Sequence, residues 1–398
     1  MTTETEIKLK IVDADGHYLE PAFELPDYME PKYRDAAPHI VKRDDGFEYW
    51  EGRDWAEETG IFGGAQTRRA LAIAGLAGVE RWNVVKDDPD KALNYTQMNP
   101  ASLDPIARLK VLDEERMDAA VLYPTFNLNF RTDAEFQMAL NRALNDWLAD
   151  RYISADPHRL YGVTNIVTLH DVDAACREVD RCAKQHGFKA TYLRPGLPTA
   201  EARWWKRDFD RFWATCQDLD VAVAFHPFSV DRMYGANRDL DLLGPAAEQQ
   251  FLRAVLTHPV DALNALCGII VGGVLERFPR LRFAILESGG GWLVPMLERL
   301  DHRFEHMGWR LKDLSMKPSD YFRRQGWISF DPDEATLGVA AEWLGADRII
   351  WGSDFPHPDA FYPNFVDLLN GQIAALPQED QDRIRGLNAM DFYKLPNN

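Results

Sequence analysis

Asp13, Asp15 and His17 stand at every second position of the stretch IVDADGHYLEP, directly after the apolar pair Ile11 and Val12. Side chains on a β-strand alternate faces, so this spacing predicts three polar groups pointing one way. At a strand end, Asp15 and His17 bring one oxygen and one nitrogen to a common point, as a divalent ion requires. Taken alone, such residues serve more often as caps and turn formers. What changes the odds is that other short apolar runs also finish in chemically able groups. Tyr123 and Thr125 close AAVLYPT, Asn165 sits in LYGVTNIVT, and Arg194 follows GFKATYL. His226 follows VAVAF, Glu287 follows RFAIL, Asp331 follows WISF, and Asp354 follows IIWGS. Small, apolar or turn-forming residues would be expected there if these ends were only structural. Carboxylates and imidazoles bind metals and move protons instead.

The elements that position these groups are legible as an alternation. Helical patterns begin at Ile106 and recur over Thr132–Ala155, Val172–His186, Asp208–Leu219, Ala246–Phe278, Leu293–Met307 and Leu337–Leu344, each preceding a short apolar strand. About eight strands alternating with helices predict an α/β protein with a parallel sheet, most simply closed as a (β/α)8 barrel of TIM type. We read the 398 residues as one domain, interrupted after the first strand by a polar, glycine- and tryptophan-bearing insertion over about residues 31–104. That insertion predicts hairpins or a lid, with a passive surface excursion as the equal alternative. A further helix is expected after Pro377, packed on the barrel or on a partner. Active sites of such barrels lie at the C-terminal ends of the strands, so the polar endings share one mouth.

Each candidate has a plain alternative. His226 is assigned as a metal ligand because other candidate ligands share its mouth. Asp354 precedes FPHP, whose prolines restrain the loop; the alternative is an N-cap or Asx-turn. Arg194 suits a substrate carboxylate through its planar fork, or a salt bridge to an acid such as Glu287. Tyr123, Asn165 and His258 (in LTHPVDAL) are taken as substrate-binding candidates, although for His258 an ordinary helix residue is the favoured reading. Gly289–Gly291 offer backbone N–H groups to an anion, but close strand–helix packing is favoured, because neither a P-loop lysine nor dinucleotide spacing accompanies them.

Composition sets the bounds. Hydrophobic residues form 46% and charged residues 27% of the chain, as in an ordinary globular protein. A net charge of −18 argues against nucleic acid or an anionic membrane as a partner and leaves a small-molecule substrate. The four cysteines, Cys176, Cys182, Cys216 and Cys267, form no CxxC, and MTTETEIKLK has no signal-peptide core. A reduced, cytoplasmic protein is the expectation.

Five segments, DADGHYLEP, LRP, FHPF, GGVLERFPRLRFAILESGGGWLVPMLERLD and WGSDFPHPD, together resemble the amidohydrolase superfamily. The likeness is to the branch typified by aminocarboxymuconate semialdehyde decarboxylase and γ-resorcylate decarboxylase. The resemblance implies a TIM-type barrel with one divalent metal, zinc ahead of manganese. It makes Asp15 and His17 the first-strand ligands, His226 the fifth-strand ligand, and Asp354 the acid/base and metal partner. It also implies a homo-oligomer, a dimer or larger. Departures are visible: His or Glu is common at Asp15, a histidine often stands where this chain has Glu287, and no lysine ends the fourth strand.

Two reactions fit the same residues. Metal-assisted decarboxylation of an aromatic or unsaturated acid would use Asp354 or Glu287 as proton donor. Hydrolysis of an amide, lactone, ester or carbon–carbon bond would use Asp354 as base toward water. The resemblance favours decarboxylation. A non-catalytic metal- or ligand-binding barrel is a third reading, and it predicts lost ligand positions that this chain has kept.

Overall fold

Strands buried on both faces need near-continuous apolar runs, and the runs noted above become the parallel strands of the computed structural model. It describes residues 9–53, 69–70, 72–79, 93–128, 133–167, 171–195, 203–228 and 246–396. The strands are β1 (Val12–Tyr18), β2 (His39–Lys42), β3 (Glu48–Glu51), β4 (Ala119–Pro124), β5 (Leu160–Gly162), β6 (Thr164–Val167), β7 (Ala190–Leu193), β8 (Ala222–Phe225), β9 (Phe283–Ile285), β10 (Gly326–Phe330) and β11 (Ile349–Trp351). One parallel sheet runs β1-β4-β5 and a second β6-β7-β8-β9-β10-β11. Only Val163 separates β5 from β6, so these are two pieces of the third barrel strand and the two sheets form one wall. At the other seam, Asp354 N–H donates to Asp15 O at 3.0 Å and His17 N–H to Phe355 O at 2.8 Å. Residues of the candidate site therefore join the first and eighth barrel strands.

Small and branched side chains fill the ring. Val12, Ala14, Ala119, Val121, Ala222, Ala224, Ala284 and Ile350 share one buried cluster with Ala389, Met390, Phe392 and Tyr393 of the C-terminal helix Asn388–Tyr393. The tail thus plugs the base of the barrel, with Tyr393 Oη–H donating to Ala14 O at 2.7 Å.

Most helix bounds fall where expected, and Leu293–Met307 and Leu337–Leu344 coincide with them. Two differ. The segment expected as one helix to Ala155 is α-helical only over Ala134–Trp147, then loosens into a π-turn at Leu148–Tyr152 and tightens at Ile153–Ala155. The helix expected over Ala246–Phe278 stops at Val271, where Gly272 and Gly273 interrupt it before the short turn Val274–Arg277.

Within the insertion, β2 and β3 form the antiparallel hairpin expected there. Trp50 stacks edge-on against Tyr95 at 5.2 Å, in a separate buried cluster with Leu25, Phe126 and Phe136. Residues 54–68, 71 and 80–92, on which much of the expected lid falls, lie outside the described residues.

Glu20, just past β1, anchors the loop after β4: its Oε1 accepts from Thr125 N–H at 3.1 Å and Asn127 N–H at 2.8 Å. Its Oε2 is buried with no hydrogen-bond partner among the described residues, and burial pushes the carboxyl up to about 7. The folded state therefore holds a proton that the unfolded chain releases near its ordinary value of 4.5. Stability from this group is full below that value and is lost as pH rises through about 7. We expect Glu20→Gln to remove the decline, worth up to about 3 kcal/mol. Thermal melts between pH 4 and 8 check this; a decline of equal slope in the variant contradicts it.

Candidate metal centre

The three alternating polar residues of β1 do not act as one set. The pairing of β1 with β4 shifts register between Asp13 and Gly16, and the bulge splits them. Asp13 turns to the end of β11, accepting from Ser353 N–H at 2.9 Å and Ser353 Oγ–H at 2.6 Å. Asp15 and His17 remain at the mouth. There the chain after β11 passes so close that a Cβ at Gly352 would lie 2.5 Å from Asp15 Cβ, which accounts for the glycine of WGSD.

His17 Nδ1 lies 2.9 Å from Pro124 O, and His226 Nδ1 lies 2.9 Å from Pro227 O. A carbonyl only accepts, so both Nδ1 atoms carry the proton and both Nε2 atoms present a lone pair. Yet the two Nε2 atoms face each other at 3.2 Å. Asp15 Oδ1 stands 3.3 Å from His226 Nε2 and 3.8 Å from His17 Nε2, and Asp354 Oδ1 is 3.3 Å from His17 Nε2. Asp15 Oδ1 is buried and has no hydrogen-bond partner among the described residues.

Three lone-pair atoms, His17 Nε2, His226 Nε2 and Asp15 Oδ1, converge here without donors and repel one another unless a cation lies among them. Ligands about 2.1 Å from one tetrahedral ion stand about 3.4 Å apart, close to the spacing seen. The residues fit a divalent ion. Burial, with the neighbouring His357 adding to it, lowers the His17 pKa to about 4, which keeps the ring neutral as a ligand must be.

Asp354 and Glu287 both adopt left-handed backbone, with φ of 54° and 42°. Non-glycine residues adopt it at a cost of about 1 kcal/mol or more, and such strain concentrates at functional sites. Glu287 Oε2 lies 3.4 Å from His226 Nδ1 and its Oε1 lies 3.6 Å from His258 Nδ1. Burial, with the negative charges of Asp354 and Asp15, raises the Glu287 carboxyl well above its ordinary range. The His258 imidazole is pushed down to about 4 by burial. This histidine sits inside the helix Ala246–Val271, one residue before Pro259. Proline lacks an N–H, so the Val255 carbonyl loses its helical donor there. Val255, His258, Glu287 and Asp354 all line a cavity of about 600 Å³.

Sequence reasoning passed over His357. Its Nδ1 is 2.6 Å from Asp354 Oδ1 and its Nε2 is 3.1 Å from Thr125 Oγ1, whose own proton goes to Tyr18 O at 3.0 Å. Thr125 therefore accepts from Nε2–H, and a second proton lies between Nδ1 and Asp354. Burial opposes the charge on each partner, but the ion pair outweighs it. The His357 pKa rises, and that of Asp354, flanked by His357 and His17, falls below the usual carboxylate range. The available signal was a histidine three residues after Asp354, held between the prolines of FPHPD.

Two candidates are placed differently from expectation. Tyr123 does not reach the cavity: its hydroxyl pairs with that of Tyr393 at 2.8 Å, and its ring lies beside His226 as a floor. Asn165 spends its amide inside the wall, taking Tyr192 Oη–H at 3.0 Å and donating to Asn145 Oδ1 at 2.9 Å. Both are fully buried; Tyr123 is next to last in β4, whereas Asn165 is the second residue of β6, before the strand reaches the mouth. Arg194 is buried too, with Nη2–H donating to Phe228 O at 2.8 Å. The GGG stretch serves packing, as expected: a Cβ on Gly290 would meet the Phe330 ring at 2.1 Å, and Gly290 N–H is taken by the Glu334 carboxylate at 3.0 Å. The anion there is the chain's own.

A barrel carrying this cluster at its mouth defines a class, and the comparisons agree with it. The model of the amidohydrolase family matches residues 12–395, and the chain belongs to that family. Among characterised relatives, it is 25% identical over 319 residues to 2-amino-3-carboxymuconate-6-semialdehyde decarboxylase of Dictyostelium discoideum, covering 76% of this chain and 80% of that one. Its fold is similar to that of an amidohydrolase from Mycobacterium avium subsp. paratuberculosis (TM-score 0.73, 22% identity, 97% and 98% of the two chains). It is similar also to a dihydroxybenzoic acid decarboxylase from Polaromonas sp. JS666, solved with manganese and 2-nitroresorcinol (TM-score 0.64, 18% identity, 97% of each chain). No helix among the described residues is long and apolar enough to cross a membrane.

Glu287 offers a direct check of the electrostatics. We expect Glu287→Gln to keep its metal and lower kcat/KM by about 10- to 100-fold, with a changed pH profile. An unaltered rate and profile, measured with metal content, would make it only a wall of the cavity.

Proposed function

We propose that this protein is a metal-dependent, non-oxidative decarboxylase of an aromatic or unsaturated carboxylic acid. The observation that supports the reading is the convergence of His17 Nε2, His226 Nε2 and Asp15 Oδ1, with Asp354 Oδ1 beside His17 and a proton shared between Asp354 and His357. A bound divalent ion, zinc or manganese, would hold the substrate's carboxylate and an adjacent oxygen and polarise them. The two neutral imidazoles, oriented by backbone carbonyls, would keep the ion in register with the cavity. The Asp354–His357 pair delivers its proton to the carbon that bears the carboxylate. The electron pair of the breaking carbon–carbon bond returns to the π system as carbon dioxide leaves, and solvent restores the proton. Arg194, buried behind the cavity lining, would act on the acid through its charge, which reaches His258. The barrel acts as one domain with the insertion of residues 31–104 as its cap, in a homo-oligomer.

Hydrolysis of an amide, lactone or carbon–carbon bond is the second reading, favoured by the acid-rich cavity, which is a poor match for an anionic substrate. There Asp354 would take a proton from attacking water. Metal-loaded protein, given hydroxybenzoates and simple esters or lactones in ¹⁸O-labelled water, separates the two. Carbon dioxide release without label in the organic product supports the lyase, whereas labelled product supports the hydrolase.

A further inference from the structure

Beyond the metal ligands, the cavity of about 600 Å³ is walled by Glu287, Ser288, Asp331, Asp333 and Asp359. No lysine or arginine stands among the described residues that line it. A divalent ion would be balanced by Asp15 and Asp354, and the His357 charge acts on Asp359, which leaves Asp331 and Asp333 without a counter-charge in the lining. The charges acting on Asp331 all come from other acids, Glu334, Asp354, Asp333 and Asp15, and with burial they push its carboxyl up to about 8. An independent feature points the same way. Ser288 is only 7% exposed, its Oγ has no hydrogen-bond partner among the described residues, and it lines the same cavity. A buried hydroxyl left unpaired costs about 1–3 kcal/mol, so a polar group of a ligand is the natural partner.

We infer that the substrate is a monocarboxylic acid carrying, remote from its carboxylate, a cationic nitrogen that the acids of this cavity select. The carboxylate would face the metal centre and the nitrogen would donate to Asp331, Asp359 and Ser288. The inference rests on the carboxylic-acid reading above, and the test uses binding so that the two fail separately.

Three matched benzoates, 3-(aminomethyl)benzoate, 3-(hydroxymethyl)benzoate and isophthalate, carry +1, neutral and −1 groups at one position. Calorimetric titration into metal-loaded protein is expected to rank them in that order, with at least about tenfold between the extremes. Asp331→Asn and Asp359→Asn should each narrow that gap, and 0.5 M salt should narrow it further. Equal or tighter binding of isophthalate overturns the inference, as does no detectable binding of the aminomethyl compound. Two metal ions per chain by elemental analysis, one of them lost in Asp331→Asn, would overturn it by making the acids a second cation site. Charge-ranked binding with no carbon dioxide released from any acid supports the inference and sinks the decarboxylase reading instead.

Discussion

Replacing His226 by alanine is expected to leave a folded protein that no longer retains its metal and turns over at least about 10²-fold more slowly. The ring contributes one of three converging lone pairs, and its Nε2 lies 3.2 Å from His17 Nε2 and 3.3 Å from Asp15 Oδ1. Without it only His17 Nε2 and Asp15 Oδ1 of that group remain, with Asp354 Oδ1, beside His17, already engaged with His357. The ring is fully buried, so truncation also leaves a void at the barrel mouth. Stability must therefore be measured beside metal content. Elemental analysis of the purified variant, with circular dichroism as the control for folding, decides the matter. A fully metallated, active His226→Ala protein would remove this residue from the centre.

The second large effect concerns proton transfer. Asp354→Asn should keep much of the metal, because the amide oxygen can still face His17 at the 3.3 Å separation seen for Oδ1. Turnover should fall by about 10²- to 10⁴-fold, the usual contribution of a positioned acid or base. The cause lies in the 2.6 Å contact with His357: an amide can neither pair with an imidazolium nor share its proton. Single-turnover rates with metal content held equal isolate this step. Near-normal turnover would exclude Asp354 from it and leave His357 or Glu287 as donor.

The candidate site was legible where chemistry and strand endings coincide. His226 after VAVAF and Asp354 after IIWGS could be placed at a mouth because an apolar run that short must be a strand, and a parallel barrel collects its strand ends. The same logic failed for Tyr123 and Asn165. Whether either side chain faces the mouth or the wall depends on partners outside its own strand, Tyr393, 270 residues on, for Tyr123, and Asn145 and Tyr192, 20 and 27 residues away, for Asn165. His357 escaped notice for the opposite reason. It belongs to a loop, where no periodicity assigns direction, and only the fold brings Thr125 within 3.1 Å of its Nε2.

By itself, the order of residues determined the alternation of strands and helices, the candidate metal-binding side chains and the acidity of the whole. Those follow from local periodicity and side-chain chemistry, which act over a few residues. Tertiary structure alone decided that a bulge turns Asp13 away toward Ser353, that backbone carbonyls fix the tautomers of His17 and His226, and that acids from separate loops crowd one cavity. Those depend on distances between chain segments far apart in sequence, and only closure of the ring sets them.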